Sequence, residues 1–212
     1  MHKRGLFVTF EGMDGSGKTT QMRLLAERLR GRGRDVLETA EPGGTRIGTA
    51  IRRILLDAAN QELSPTAEML LYFACRAQNV DEWIVPALDA GKIVLSDRFT
   101  DSTLAYQGCG RGLGSETVMT LDRIACRGLV PDLTLLIDID AETSLARAHA
   151  RNASEQHAET RMDEQSLEFH RRVHEAYHAL AAREAQRVRI IGGRATVEAI
   201  ADEIWKTVAP YV

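Results

Sequence analysis

The sequence predicts a doubly wound α/β fold, and three observations carry that prediction. Short β-rich runs alternate with helical stretches along the 212 residues, the pattern of a parallel sheet flanked by helices. Three of the runs, LFVTF, KIVLS and LTLLIDI, are almost continuously apolar, as strands buried on both faces must be. A glycine-rich turn, GMDGSGKT, joins the first apolar run to the first helical stretch.

The elements follow in order. A strand over 6–10 leads through that turn into a helix over 19–30. A second strand over 36–39 runs into EPGGT, a further glycine-rich loop, and a helix over 46–56 that carries Arg46 and Arg52. Pro42 in this loop is expected to be cis at a tight turn. A long helix over 66–90 begins at Ser64-Pro65 and ends at Gly91. Its apolar face is Met69, Phe73, Ala77, Val80, Ile84 and Leu88, at steps of three or four. The third strand, 93–96, opens into SDRFTDSTLAYQG and a helix over 115–126. The fourth, 133–139, precedes a helix over 141–151, a polar stretch and a helix over 166–185. A strand over 188–191 and a helix over 197–208 complete the order. There is no internal repeat and no low-complexity segment, and the length suits one domain spanning 1–212.

Composition narrows the function. The chain is 44% hydrophobic and 27% charged, with a net charge of −3, which argues against a nucleic-acid binder. No apolar run approaches the roughly 20 residues of a membrane span, and the N-terminus lacks the long apolar region of a signal peptide. The cysteines Cys75, Cys109 and Cys126 are an odd number without C-x-x-C spacing. Reduced thiols in a cytoplasmic protein are the simplest reading.

Gly12, Met13, Asp14, Gly15, Ser16, Gly17, Lys18 and Thr19 fit G-x-x-x-x-G-K-[ST]. The glycines let backbone N–H groups surround phosphate oxygens, and the helix N-terminus adds positive potential. Lys18 is expected to reach the β- and γ-phosphates of ATP, and the Thr19 hydroxyl to ligate Mg²⁺. Asp97 and Arg98 fall at the carboxyl end of the third strand, where open α/β sheets bind ligands. An acid there can hold Mg²⁺ through water or take the acceptor's proton, and an arginine can clamp an acceptor phosphate; a surface ion pair is the other reading. Tyr72 and Arg76 sit four apart and point the same way. They either bracket a base or form a solvated arginine packed over a tyrosine. Between Gly12 and Lys18 there is no arginine, so the cation that phosphoryl transfer needs must come from elsewhere. Arg147, Arg151 and Arg161, in the polar stretch, can swing over a bound nucleotide as a lid over about 147–163, or belong to a solvated loop. His170, His174 and His178 recur every four residues. No carboxylate at ligand spacing completes a zinc site, and a solvent-facing row of histidines is expected, beside a core stripe of Leu167, Val173 and Tyr177.

The chain resembles the bacterial thymidylate kinases. The likeness runs through FEGMDGSGKTT, EPGGT, LLYFACRAQ, SDRFTDSTLAYQG, PDLTLLIDI and TRMDEQSLEFHRRVHEAY, nearly the full length in family order. The P-loop is shared with many enzymes, whereas D-R-aromatic followed by A-Y-Q-G is much more specific. The resemblance implies a P-loop nucleoside-monophosphate-kinase fold with a five-stranded parallel sheet, flanking helices and a mobile lid, as a homodimer. It implies Mg²⁺-dependent transfer from ATP to dTMP, giving dTDP for dTTP synthesis. It assigns Arg52 and Arg98 to the dTMP phosphate, Arg76 to the thymine edge, Tyr72 to stacking on thymine, and Thr103 and Gln107 to positions near the base. Asp14 and Glu41 line the acceptor side, and Asp97 positions Mg²⁺ with Thr19. The catalytic charge then falls to Lys18, Arg98 and the lid arginines. Three features depart from the family pattern: Ala40 stands where arginine often precedes E-P-G-G, Thr160 where an acid commonly precedes the lid arginine, and the lid is longer than in many members. A kinase of another nucleoside or monophosphate, and a P-loop switch protein with little turnover, are the rival readings.

Overall fold

The computed structural model describes residues 4–155 and 159–212. The centre of the expected lid, 156–158, lies outside the described residues, as do the first three residues of the chain. The five expected strands form, each within one residue of its expected ends: β1 Phe7–Glu11, β2 Val36–Ala40, β3 Ile93–Asp97, β4 Leu133–Asp138 and β5 Val188–Gly192. They make one sheet in the order β2-β3-β1-β4-β5, and every pairing is parallel.

Alternation along the strands explains the burial of both faces. Val8 and Phe10 of β1, Leu95 of β3 and Leu133, Leu135 and Ile137 of β4 pack on one side, against Met22, Leu25 and Leu29 of α1 (Lys18–Arg30) and Ile200, Ile204 and Val208 of α9 (Val197–Val208). Phe7 and Val94, one residue out of phase, face the other side with Met69, Phe73, Val80 and Ile84. A period of two inside continuous apolar runs is the signature of a central strand.

The helices α2 (Arg46–Leu56) and α6 (Ser115–Cys126) match their expected spans. The long helix is one stretch in outline but three segments in detail. It runs as α3 (Pro65–Asn79), a π-helical turn (Val80–Ile84) and α4 (Val85–Asp89). Val85 N–H bonds back to Val80 O, five residues away. Pro86 gives the reason: its ring crowds the carbonyl four residues earlier and it has no N–H, so the helix widens just before it. A second departure follows β3. Residues to which the sequence assigns no element form a short helix, α5 (Thr100–Thr103), and a π-helical segment, Leu104–Gly110. The helix after β4, α7 (Ala141–Glu155), runs past its expected end, and α8 spans Leu167–Arg183.

The histidine row on α8 is not solvent-facing throughout. His170 is 1% exposed, and burial lowers its pKa from the ordinary histidine value. Among the described residues no helix is long and apolar enough to cross a membrane.

Candidate active site

The carboxyl ends of β1, β2 and β3 open on one cavity of about 650 Å³. Its floor is the P-loop. Gly12 and Gly15 have φ of 133° and 73°, which glycine alone adopts readily. A Cβ at Gly12 would lie 2.5 Å from Ile137 O, and one at Gly15 would lie 2.8 Å from Arg147 Cβ. The loop is therefore pressed against β4 on one side and α7 on the other. No side chain caps α1 at Gly17, and its first turn holds no acid, so its leading N–H groups are left for an anion. Lys18 Nζ donates to Met13 O at 3.1 Å. Burial lowers the Lys18 pKa, with the Arg98 charge acting the same way and Asp14 and Asp97 opposing it. Met13 itself is a core side chain, packed with Leu55, Tyr106 and Met162, and serves the loop through its backbone.

Thr19 Oγ1 donates to Asp97 Oδ2 at 2.5 Å. The two residues expected at a Mg²⁺ are thus in contact although 78 positions apart, and both present the hard oxygen atoms that Mg²⁺ selects.

Arg98, the next residue, has φ of 74°, a strained conformation for a non-glycine residue. Its N–H donates to Phe10 O at 2.9 Å, and Ser96 Oγ donates to Arg98 O at 2.7 Å. This turn sends the guanidinium across the cleft. It donates to Asp14 Oδ1 at 3.0 Å, Ser102 Oγ at 3.0 Å, and the hydroxyls of Tyr106 and Tyr177, both at 3.3 Å. Burial works to raise the Asp14 carboxyl, but Arg98 and Lys18 outweigh it and hold it below the usual carboxylate range. Beneath lies Glu11, fully buried. It accepts from Phe99 N–H at 2.7 Å, Ser102 Oγ at 2.5 Å and Tyr177 O–H at 3.0 Å.

The opposite wall comes from β2, α2 and α3. Glu41 and Pro42 are joined by a cis peptide bond, as the sequence suggests. Arg76 is 1% exposed. It donates through Nε to Glu41 at 2.5 Å and through Nη2 to Phe99 O and Thr103 Oγ1. Its Nη1 has no hydrogen-bond partner among the described residues. The solvated reading of Tyr72 and Arg76 therefore fails: both line the cavity, with Thr103 and Gln107. Gln107 Nε2 donates to Glu68 at 2.8 Å. Arg52 also lines it and grips the Glu159 carboxylate through Nε and Nη2, at 3.0 and 2.8 Å, and Pro42 O through Nη1. Ala40, where the family often has arginine, is on the same wall.

The lid arginines divide. Arg147 and Arg151 line the cavity. Arg147 Nη1 lies 3.4 Å from both Gly15 O and Gly193 O, and Arg151 Nη2 donates to Asp163 at 3.1 Å. Arg161 does not join them in this structure. It is 2% exposed, donates to Leu55 O at 2.5 Å, and pairs with the buried Glu68 at 2.7 Å. The histidine row brings a second correction: Asp138, at the end of β4, supplies the carboxylate beside His174 and His178 that sequence spacing does not reveal.

Sequence reasoning passes over Glu11, Ser102, Tyr106 and Tyr177. The first three stand inside motifs already singled out, FEG and STLAYQG, and Ser102 and Tyr106 are one helical turn apart. Tyr177 is read as core, which it is; that its hydroxyl also reaches Arg98 depends on how α8 packs.

Comparisons with known proteins point to one family. The family model described as "Thymidylate kinase" matches residues 10–204. A thymidylate kinase of Pelobacter propionicus is 53% identical over 201 residues, covering 94% of this chain and 92% of its own. One from Thermomicrobium roseum is 50% identical, covering 95% and 93%. Among solved structures, thymidylate kinase from Ehrlichia chaffeensis superposes with a TM-score of 0.79 at 32% identity, over 97% of this chain and 99% of that one.

Proposed function

This chain belongs to the thymidylate kinase family and phosphorylates dTMP; we propose that it does so by direct in-line transfer from ATP across the cleft just described. The observation that carries this reading is Arg98. Its guanidinium bonds Asp14 of the P-loop and Ser102 of α5, which holds a cation beside the P-loop that cradles the ATP phosphates, where an acceptor phosphate can meet it. Positioning and charge neutralisation then supply most of the catalysis, and no covalent intermediate is needed.

The P-loop amides and Lys18 hold the ATP phosphates. Thr19 and Asp97 are the residues that would hold Mg²⁺, and their paired oxygen donors fit it. Bound there with ATP, Mg²⁺ neutralises phosphate charge. Arg52 and Arg98 take the dTMP phosphate. Glu159 now occupies the Arg52 fork, a carboxylate standing in the position expected of a phosphate. Tyr72 stacks on thymine while Thr103 and Gln107 shape the base site. Arg76 supplies its edge-reading donor, since a buried guanidinium nitrogen without a partner costs roughly 1–3 kcal/mol until an acceptor arrives. Asp14, beside Arg98, faces the acceptor's sugar. Arg147 and Arg151 deliver the cationic charge that the P-loop lacks, and lid closure excludes water.

The enzyme works in the cytoplasm as a homodimer, a reading supported by its three free cysteines and by the apolar side chains exposed on α2, α3 and α6. The test is ADP release with a panel of nucleosides and monophosphates. The expected outcome is strict dependence on an added acceptor, with dTMP the best. ADP release that is slow and indifferent to dTMP, or another monophosphate used better, defeats the proposal.

A further inference from the structure

His174 and His178 lie one turn apart on α8, and their Nε2 atoms are 3.1 and 2.9 Å from the same oxygen, Oδ1 of Asp138. The imidazole centroids are 4.5 Å apart. One ligand atom from each residue lies within 4.8 Å of the other two. All three side chains are partly exposed, by 28–40%, so solvent reaches the group. From this geometry we propose a divalent transition-metal site of the Zn²⁺ class at Asp138, His174 and His178, apart from the Mg²⁺ of phosphoryl transfer.

Two imidazole nitrogens and one carboxylate oxygen are the donor set that suits Zn²⁺, Co²⁺ and Ni²⁺ rather than Mg²⁺. Bonds of about 2.0–2.1 Å set neighbouring ligands of a tetrahedral ion roughly 3.4 Å apart. The present separations to Asp138 are a few tenths of an ångström shorter. Partly exposed side chains on a helix and a strand end can open by that amount, and each imidazole then binds through an unprotonated Nε2, its proton moving to Nδ1 or to solvent. Three protein ligands leave a fourth position for water. The site ties α8 to the end of β4. Tyr177, between the two histidines, reaches Glu11, Ser102 and Arg98, so a bound ion would brace the helix that supports the cleft.

The experiment uses the full chain without an affinity tag, stripped by a chelator. ZnCl₂ is titrated calorimetrically and CoCl₂ by visible absorption, in wild type and in His174→Gln, His178→Gln and Asp138→Asn, each checked for folding by circular dichroism. One equivalent is expected in wild type, with affinity lowered at least tenfold in each variant and excess Mg²⁺ failing to displace it. Zn²⁺ at a hundredfold excess over its Kd should raise the wild-type Tm by about 5–10 °C and leave the variants nearly unmoved. No saturable binding, or equal binding in wild type and folded variants, as an ion held at Cys109 would give, overturns the proposal.

Discussion

Glu11 is buried at the end of the central strand with both carboxyl oxygens engaged. Burial raises its pKa from the ordinary 4.5 to about 7, with the Asp101 charge acting the same way and the bonds from Ser102 and Phe99 opposing it. The folded-state pKa is the higher one, so the native protein holds the extra proton across this window. The group's contribution is fully present below the unfolded value and is lost as pH rises through about 7. The shift corresponds to roughly 3 kcal/mol. Glu11→Gln keeps the shape and fixes the neutral form. Denaturant unfolding at several values between about pH 5 and pH 8 is expected to show wild type losing up to about 3 kcal/mol relative to the variant as pH rises. Parallel curves would mean that Glu11 is already ionised throughout. The strained Arg98 backbone belongs to the same cluster: Glu11 accepts from the next N–H, that of Phe99, and so helps fix the turn that aims the guanidinium.

Arg161 joins the segment before α8 to α2 and α3, through Leu55 O and Glu68. Burial works to raise the Glu68 carboxyl, yet hydrogen bonds from Arg111 and Gln107 and the charges of Arg111 and Arg161 bring it below its ordinary value. Arg161→Ala removes one cation from a buried cluster and is expected to cost about 2–4 kcal/mol, a fall of roughly 10 °C in Tm. An unchanged Tm with a collapsed kcat would instead put Arg161 at the transferring phosphate during turnover. The strands, α2 and the P-loop were legible in the sequence because each rests on local signals: period, glycine and capping. The cavity position of Tyr72 and Arg76 was legible only as one of two readings, since spacing says that they share a face and not which face is buried. The burial of Arg161 and His170 and the nearness of Asp138 to His178 were not legible. They depend on how α8 and the segment before it dock on distant elements, with partners up to 106 residues away, and a polar residue carries no periodic mark of its partner. The π-turn before Pro86 was legible in principle, because the proline stands in plain view inside the helix.

The cavity wall that the proposed function gives to the acceptor and the outer surface of the molecule are two sides of the same helices. Arg52 on α2 and Tyr72 and Arg76 on α3 face the cavity, while Ile54, Leu70 and, on neighbouring α6, Ile124 are 47%, 49% and 73% exposed. Leu70 borders a groove between α3 and α6, with Thr66, Thr117 and Thr120. Large apolar side chains left open on three adjacent helices are what the proposed dimer would bury, and a two-fold arrangement would cover the same residues on both copies. Covering it would stiffen α2 and α3 from behind, so assembly and dTMP binding should be linked, with the P-loop on the far side of the cleft little affected. Leu70→Glu places two like charges across such an interface and is expected to weaken dimerisation by about 2–4 kcal/mol, some 30- to 1000-fold in Kd. Light scattering coupled to gel filtration should then show a dimer for wild type and a monomer for the variant, with circular dichroism unchanged. In the monomer the KM for dTMP should rise several-fold while that for ATP stays near wild type. A monomeric wild-type chain at micromolar concentration would remove the interface. A monomeric variant with both KM values intact would keep the interface and show that the acceptor wall is rigid without it.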